Sequence, residues 1–202
     1  MMPPLMLRAG GAQIPPPPIL YWNPADSSAS FTLENANLDA FNRNASGTTA
    51  NAVARALPPK SAGKWYFEFE VFQQGSLVGE DIGVGVESAS LTLSHYVGEL
   101  SKSAGYWRNG SRYVNGTLTN GGSIYSFAPG DVIGIAFDAS TGGLWFRKNG
   151  TWVGADPTSS AIATVAAGAP YVVACTLYRP GWGCRIRNTL TYSLPAGFSR
   201  WA

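Results

Sequence analysis

The nine residues KWYFEFEVF at 64–72 alternate without a break, with Trp65, Phe67, Phe69 and Val71 set against Tyr66, Glu68 and Glu70. A repeat of two puts one set on each side of an extended chain, and a helix has no use for it. The stretch is read as a strand with one buried and one wet face. Shorter pieces follow the same rule. DIGVGVES puts Ile82, Val84 and Val86 on one face, with glycines between. GYWRNGSRYVNG reads as a hairpin around Asn109-Gly110. DVIGIAFDASTGGLWFRKNGTWVG reads as three strands, joined by turns at 140–143 and at Asn149-Gly150. Asp138 ends the first of them, where its carboxylate can bond nearby backbone N–H groups. Ile133, Ile135, Phe137, Leu144 and Phe146 are expected in the core. Lys148 falls on the same face as Phe146, so the in/out rule fails at that strand's end. YVVACTLYRPGWGCRIRN reads as a last hairpin.

No convincing amphipathic helix is found. TANAVARAL has room for a turn or two before Pro58 and Pro59 stop it, and residues 157–169 read as a loop. Only 13% of residues are charged, against 24 glycines, 14 prolines and 12% aromatics, which suits strands and turns. Many short strands at regular spacing predict an all-β, two-layer antiparallel sandwich. The 202 residues suffice for one such domain, placed at 23–202. Before it, residues 1–22 read as an extended arm, because Pro15 to Pro18 favour the polyproline conformation. The arm is either disordered or docked, and Leu5, Met6, Leu7, Ile19, Leu20, Tyr21 and Trp22 would serve docking.

The same inventory weakens several functions. A formal charge of +2 without a basic run argues against nucleic-acid binding. No apolar run is long enough to span a membrane, and the N-terminus lacks the charged start and continuous apolar centre of a secretion signal. Two cysteines without a Cys-x-x-Cys pair, and one histidine, argue against a zinc site. No cofactor or metal is expected. Cys175 and Cys184 would face each other on a hairpin centred on Arg179-Pro180, as a disulfide or as a reduced pair; their apolar neighbours favour the reduced pair. Nor is a catalytic constellation evident. Glu68 and Glu70 share the face expected to be wet, and Glu80-Asp81 reads as turn chemistry. His95, the one histidine, sits in a loop and reads as exposed or partner-facing. GVGV at 83–86 lacks the third glycine and the helix of a dinucleotide site. The chain is expected not to be an enzyme.

Taken in order, GKWYFEFEV, DIGVGV, GYWRNGSRYVNG, GDVIGIAFDASTGGLWFRKNGTWVG and PYVVACTLYRPGWGCRIRN resemble the SPRY domain over about residues 45–190. The resemblance implies a curved sandwich of two antiparallel sheets and a protein-binding module without catalysis, with the ligand held by loops at one end. In relatives that bind peptides, a Tyr before a Gly in the loop after the GVGV-like strand touches the ligand, which implies Tyr96 and Gly98 here. A Trp-Gly before the last strand implies Trp182 and Gly183. An Arg ahead of the KWYFEF strand implies Arg55, although the residues around it depart from the family pattern. Tyr178, beside Trp182, joins them on composition, since loop aromatics and arginines are the usual interface anchors.

The ending LTYSLPAGFSRWA resembles the C-termini of bacteriophage virion proteins. The leading expectation is therefore a binding module on a virion, in a tail fibre, tail tip, baseplate or capsid decoration. Its partner would be a virion neighbour or a host surface molecule, with a glycan as another class that aromatic loops accept. A homo-oligomer would follow from the symmetry usual in such assemblies. The alternative is a cytoplasmic adaptor capturing a short peptide motif.

Overall fold

A computed structural model describes residues 19–42, 52–73, 82–121 and 125–202. Residues 1–18, Glu80 and Asp81 lie outside that set, as do 49–51 of the TANAVARAL stretch. The described residues form two sheets. One runs in the order β1 (Tyr21–Ser27), β4 (Ala54–Leu57), β14 (Tyr171–Leu177), β6 (Ile82–Ser88), β7 (Ser103–Trp107), β8 (Arg112–Val114), β9 (Thr117–Thr119). The other runs β12 (Thr151–Trp152), β11 (Gly143–Lys148), β10 (Val132–Asp138), β5 (Lys64–Gln73), β15 (Trp182–Ile186), β3 (Asp39–Asn42), β2 (Phe31–Glu34). Two short strands sit off this path: β13 (Ala163–Thr164) beside β11, and β16 (Ser199–Arg200) beside β5. All pairings are antiparallel except β16 with β5. The fold is the expected all-β antiparallel sandwich.

The core lies between the sheets. Phe67, Phe69 and Val71 from β5 meet Ile82, Val84 and Val86 from β6, all buried, and β10 is registered on β5 with Ile135 opposite Phe67. Ile133, Ile135, Phe137, Leu144 and Phe146 are buried as expected. The β11–β12 turn uses Asn149 and Gly150, both with positive φ, as a tight hairpin demands. Asp138 accepts the Ser140 backbone N–H at 2.9 Å, in the turn role read for it.

Four readings are corrected. YVVACTLYRPGWGCRIRN is no hairpin: β14 pairs with β4 and β6 in one sheet, and β15 pairs with β3 and β5 in the other. The chain crosses the sandwich at 178–181, because both strands bury one side in the shared core. Cys175 and Cys184 meet across that core instead of along a hairpin; both are free and buried, and burial, then the Cys175 thiol, pushes the Cys184 thiol well above its usual range. Second, residues 19–22 belong to the domain, since Leu20 and Trp22 are buried and Trp22 stacks on Phe69. Third, residues 54–57 of TANAVARAL are strand β4.

The fourth correction concerns the face of β5 read as wet. Tyr66 and Glu68 are both buried. The segment 187–201 runs over them: Glu68 accepts the backbone N–H groups of Thr191 (2.6 Å) and Tyr192 (3.1 Å) and the Tyr66 hydroxyl (2.9 Å). Phe198 packs edge-on to Trp145, and Trp201 donates its backbone N–H to Tyr66 O. The Trp201 indole then enters the main core between Phe67 and Phe137 and donates to Pro58 O at 2.7 Å. A third layer of extended chain thus covers a sheet face that the alternation alone leaves to water.

Candidate functional site

The loop 89–102, between β6 and β7, folds back over the outer face of its own sheet. Glycines make the room. A Cβ on Gly83 would stand 2.5 Å from the Trp107 indole. Gly98 has φ +94, and a Cβ there would meet Tyr113 O at 2.3 Å. Val97 lies against Val53 and Ala174 in a small second cluster on this outer face. The loop is tied down at successive residues. Val97 donates its backbone N–H to Thr176 Oγ1 (2.9 Å), Gly98 to Ser103 Oγ (2.7 Å) and Tyr96 to Glu99 Oε2 (3.0 Å).

Tyr96 is held half-buried by these bonds. Its ring meets Trp107 edge-on at 5.5 Å and Tyr113 at 5.1 Å, and Trp107 meets Tyr113 at 5.6 Å. Trp107 also donates its indole N–H to Val97 O at 3.2 Å. Burial, then the Glu99 carboxylate, raises the Tyr96 phenol above its usual range. Three aromatic rings therefore pack as one cluster, Trp107 buried and Tyr96 and Tyr113 half-buried; neither Trp107 nor Tyr113 is singled out in the sequence. Their spacing in GYWRNGSRYVNG, on facing strands of a hairpin, was the available signal.

Trp182 and Gly183 lie in β15, Trp182 pointing into the core and Gly183 facing the outer side of its sheet, where Phe72 lies. Trp182 is 1% exposed, and the Arg108 guanidinium lies 5.1 Å over its ring. A Cβ on Gly183 would strike the Phe72 ring at 2.3 Å, so this glycine is the seat on which Phe72 lies. Tyr178 is half-buried and Arg179 exposed in the link that crosses between the sheets. Trp107 and Arg108, consecutive in sequence, bring the parts together: one faces Tyr96, the other covers Trp182.

Arg55 is elsewhere. It is 2% exposed on the outer face of β4, and its guanidinium is committed inside the protein. Nε donates to Glu87 Oε1 (2.5 Å), Nη1 to Asp26 Oδ1 (3.1 Å), and Nη2 to the carbonyls of Leu91 (2.9 Å) and Thr92 (2.8 Å). A direct ligand contact by Arg55 does not fit this placement, because its buried guanidinium is already donating to these internal acceptors. His95 is likewise buried, against the exposed reading: its Nε2 lies 2.9 Å from Glu87 Oε2.

Among the described residues, no group of three or more His, Cys, Asp or Glu stands where it would hold a metal ion, and no helix is long and apolar enough to cross a membrane. The geometry offers an aromatic surface and buried supports.

Several known proteins resemble the chain. The chain is 29% identical to the dual specificity protein kinase splA of Dictyostelium discoideum over 130 residues, which is 63% of this chain and 5% of that protein. It is 28% identical to Ran-binding protein 9 of Xenopus tropicalis over 156 residues, 75% of this chain and 28% of that one. The chain thus corresponds to a small part of each. Among solved structures, the SPRY domain of human HERC1 superposes with TM-score 0.63 at 21% identity, covering 85% of this chain and 99% of that one. The PSpry domain of TRIM65 gives TM-score 0.60 at 14% identity, covering 84% and 92%. These likenesses show the fold. The SPRY domain pattern itself matches residues 64–191, and with more than half of its length so matched, the chain belongs to the SPRY domain family, whose members are non-catalytic interaction modules.

Proposed function

We propose that this module captures a short segment of a partner protein at the sandwich end that carries Tyr96 and Tyr178. One observation carries the reading: Tyr96 is half-exposed, packed edge-on against Trp107 and Tyr113, in a loop bonded down on both sides of it. An aromatic anchor already fixed in place loses little conformational freedom on binding. Tyr178 adds a second ring at the crossing link, while Trp182 and Gly98 shape the surface from below; Gly183 lies on the opposite sheet's outer face, under Phe72. Arg55 serves it only through the loop.

A cellular adaptor suits these features better than a virion component. The ending that resembled phage proteins is used for folding, since Phe198 and Trp201 are buried packing residues. The named relatives, moreover, come from Dictyostelium and Xenopus.

Selection of displayed random peptides against the purified domain tests the reading. Selected peptides are expected to bind, and Tyr96→Ala and Tyr178→Ala each to weaken binding about tenfold or more, with Tm held within a few degrees. Peptides that bind both variants as tightly as the parent, or a selection that yields none, would overturn it.

A further inference from the structure

We infer that Arg55, Glu87 and His95 form a buried clamp that positions the loop 89–102 and thereby presents Tyr96 for binding; this rests on the peptide-capture reading. Glu87 is fully buried, and Arg55 and His95 are each 2% exposed. Such a cluster is a poor way to gain stability, because well-packed apolar side chains of similar size usually do as well or better. What it supplies is direction. The guanidinium reaches the loop at its entry, through Leu91 O and Thr92 O. Glu87 is held from one side by Arg55 Nε. Its other oxygen takes His95 Nε2 at 2.9 Å, immediately before Tyr96, and Ser103 Oγ at 3.4 Å. Ser103 Oγ in turn accepts the backbone N–H of Gly98, two residues after Tyr96. The clamp therefore grips the loop on both sides of the aromatic anchor and from two strands, β4 and β6. Asp26 on β1 takes Arg55 Nη1 at 3.1 Å. Apolar side chains would fill the same volume and leave the loop without a register.

The inference separates local hold from global stability, and hydrogen exchange reads both without any ligand. In the double variant Arg55→Met/Glu87→Met, protection of the amides of Val97, Gly98 and Gly116, whose N–H donates to Gly98 O, is expected to fall about tenfold or more, while core amides such as Ile133 and Ile135 keep theirs. A parallel fall in loop and core would mean a merely structural role and would overturn the inference, as would unchanged loop protection. Should the double variant not fold, His95 decides alone. His95→Gln keeps an N–H donor near the Nε2 position and is expected to retain loop protection within about threefold, whereas His95→Leu loses it about tenfold. Equal protection in those two variants would overturn the clamp. Because His95 is the only histidine, its ring proton resonance reports directly whether the loop is seated. Failure of peptide selection with a normal exchange pattern would overturn the binding function and leave the clamp standing; the reverse result would do the opposite.

Discussion

Gly134 in β10 stands opposite Glu68, on the face of β5 where the Tyr66 hydroxyl crosses to that carboxylate. A Cβ at this position would lie 2.2 Å from the hydroxyl oxygen. Tyr66 is fully buried and its ring has no free direction in which to retreat. Gly134→Ala is therefore expected to destabilise the domain by about 1–3 kcal/mol through overpacking, measured by urea unfolding. Tyr66→Phe in the same chain removes the clashing oxygen and is expected to recover part of the loss; no recovery would show that the strain lies in the backbone. At this scale the sequence was readable where a residue's surroundings are local. Asp138 bonds a backbone two residues away, and Asn149-Gly150 makes its own turn. Glu68 and His95 were not readable, because the groups that bury them are supplied by distant or folded-back chain: Thr191 and Tyr192 for the one, Glu87 beneath a loop for the other. Arg55 shows the same limit, since a family motif marks the residue type and not the side on which it spends its donors.

Strands with a strong internal pattern and a sequential neighbour could be read directly. β10, β11 and β12 fall where their alternation and turns put them. β14 and β15 have equally clear patterns, yet they were assigned to one hairpin because the four residues between them look like a turn; only the shared core, which each strand must face from opposite sides, separates them. β16 has two residues and no pattern of its own. It exists because β15 pairs with β5 at 69–73 and leaves the Trp65–Tyr66 end of that edge open. Its anchor is Trp201, which sends its indole between Phe67 and Phe137. Trp201→Ala is expected to cost about 3–5 kcal/mol, the usual range for emptying a buried aromatic site. It would lower Tm by about 10 °C, given roughly 2–4 °C per kcal/mol in a chain of this length. Loss of protection at Thr191 and Tyr192 amides ahead of the core strands would confirm that the segment peels from β5 as a unit. A change under 1 kcal/mol would mean that the tail is a passenger on a sheet able to stand alone.

The three layers share a second property that bears on the whole molecule. Tyr106 and Tyr171 hang from one sheet into the core, and Tyr66 lies under the C-terminal layer on the far side of the other sheet. All three are fully buried. Burial pushes the Tyr171 phenol up to about 12, while burial and nearby carboxylates, Glu68 for Tyr66 and Asp131 for Tyr106, push the other two well above the ordinary phenol range. An unfolded chain releases these protons near pH 10. The folded state binds more protons than the unfolded one above that point, so stability falls as pH rises. The contribution is intact below about pH 10 and is lost from there upward, at about 1.4 kcal/mol per pH unit for each tyrosine, or roughly 4 for the three together. Tyr106 and Tyr171 share the main core and Tyr66 lies beneath the C-terminal layer, so the three phenols ionise in one step only if the layers open together. The ionisation of Tyr66, Tyr106 and Tyr171, read by absorbance at 295 nm as base is added, should therefore coincide with loss of the β-sheet circular dichroism and take the three as one step. Trp201→Ala should move that step to lower pH for all three phenols at once if the layers fold as a unit. If only the Tyr66 share moved, the C-terminal layer would be a separate cooperative piece laid over a sandwich that holds without it.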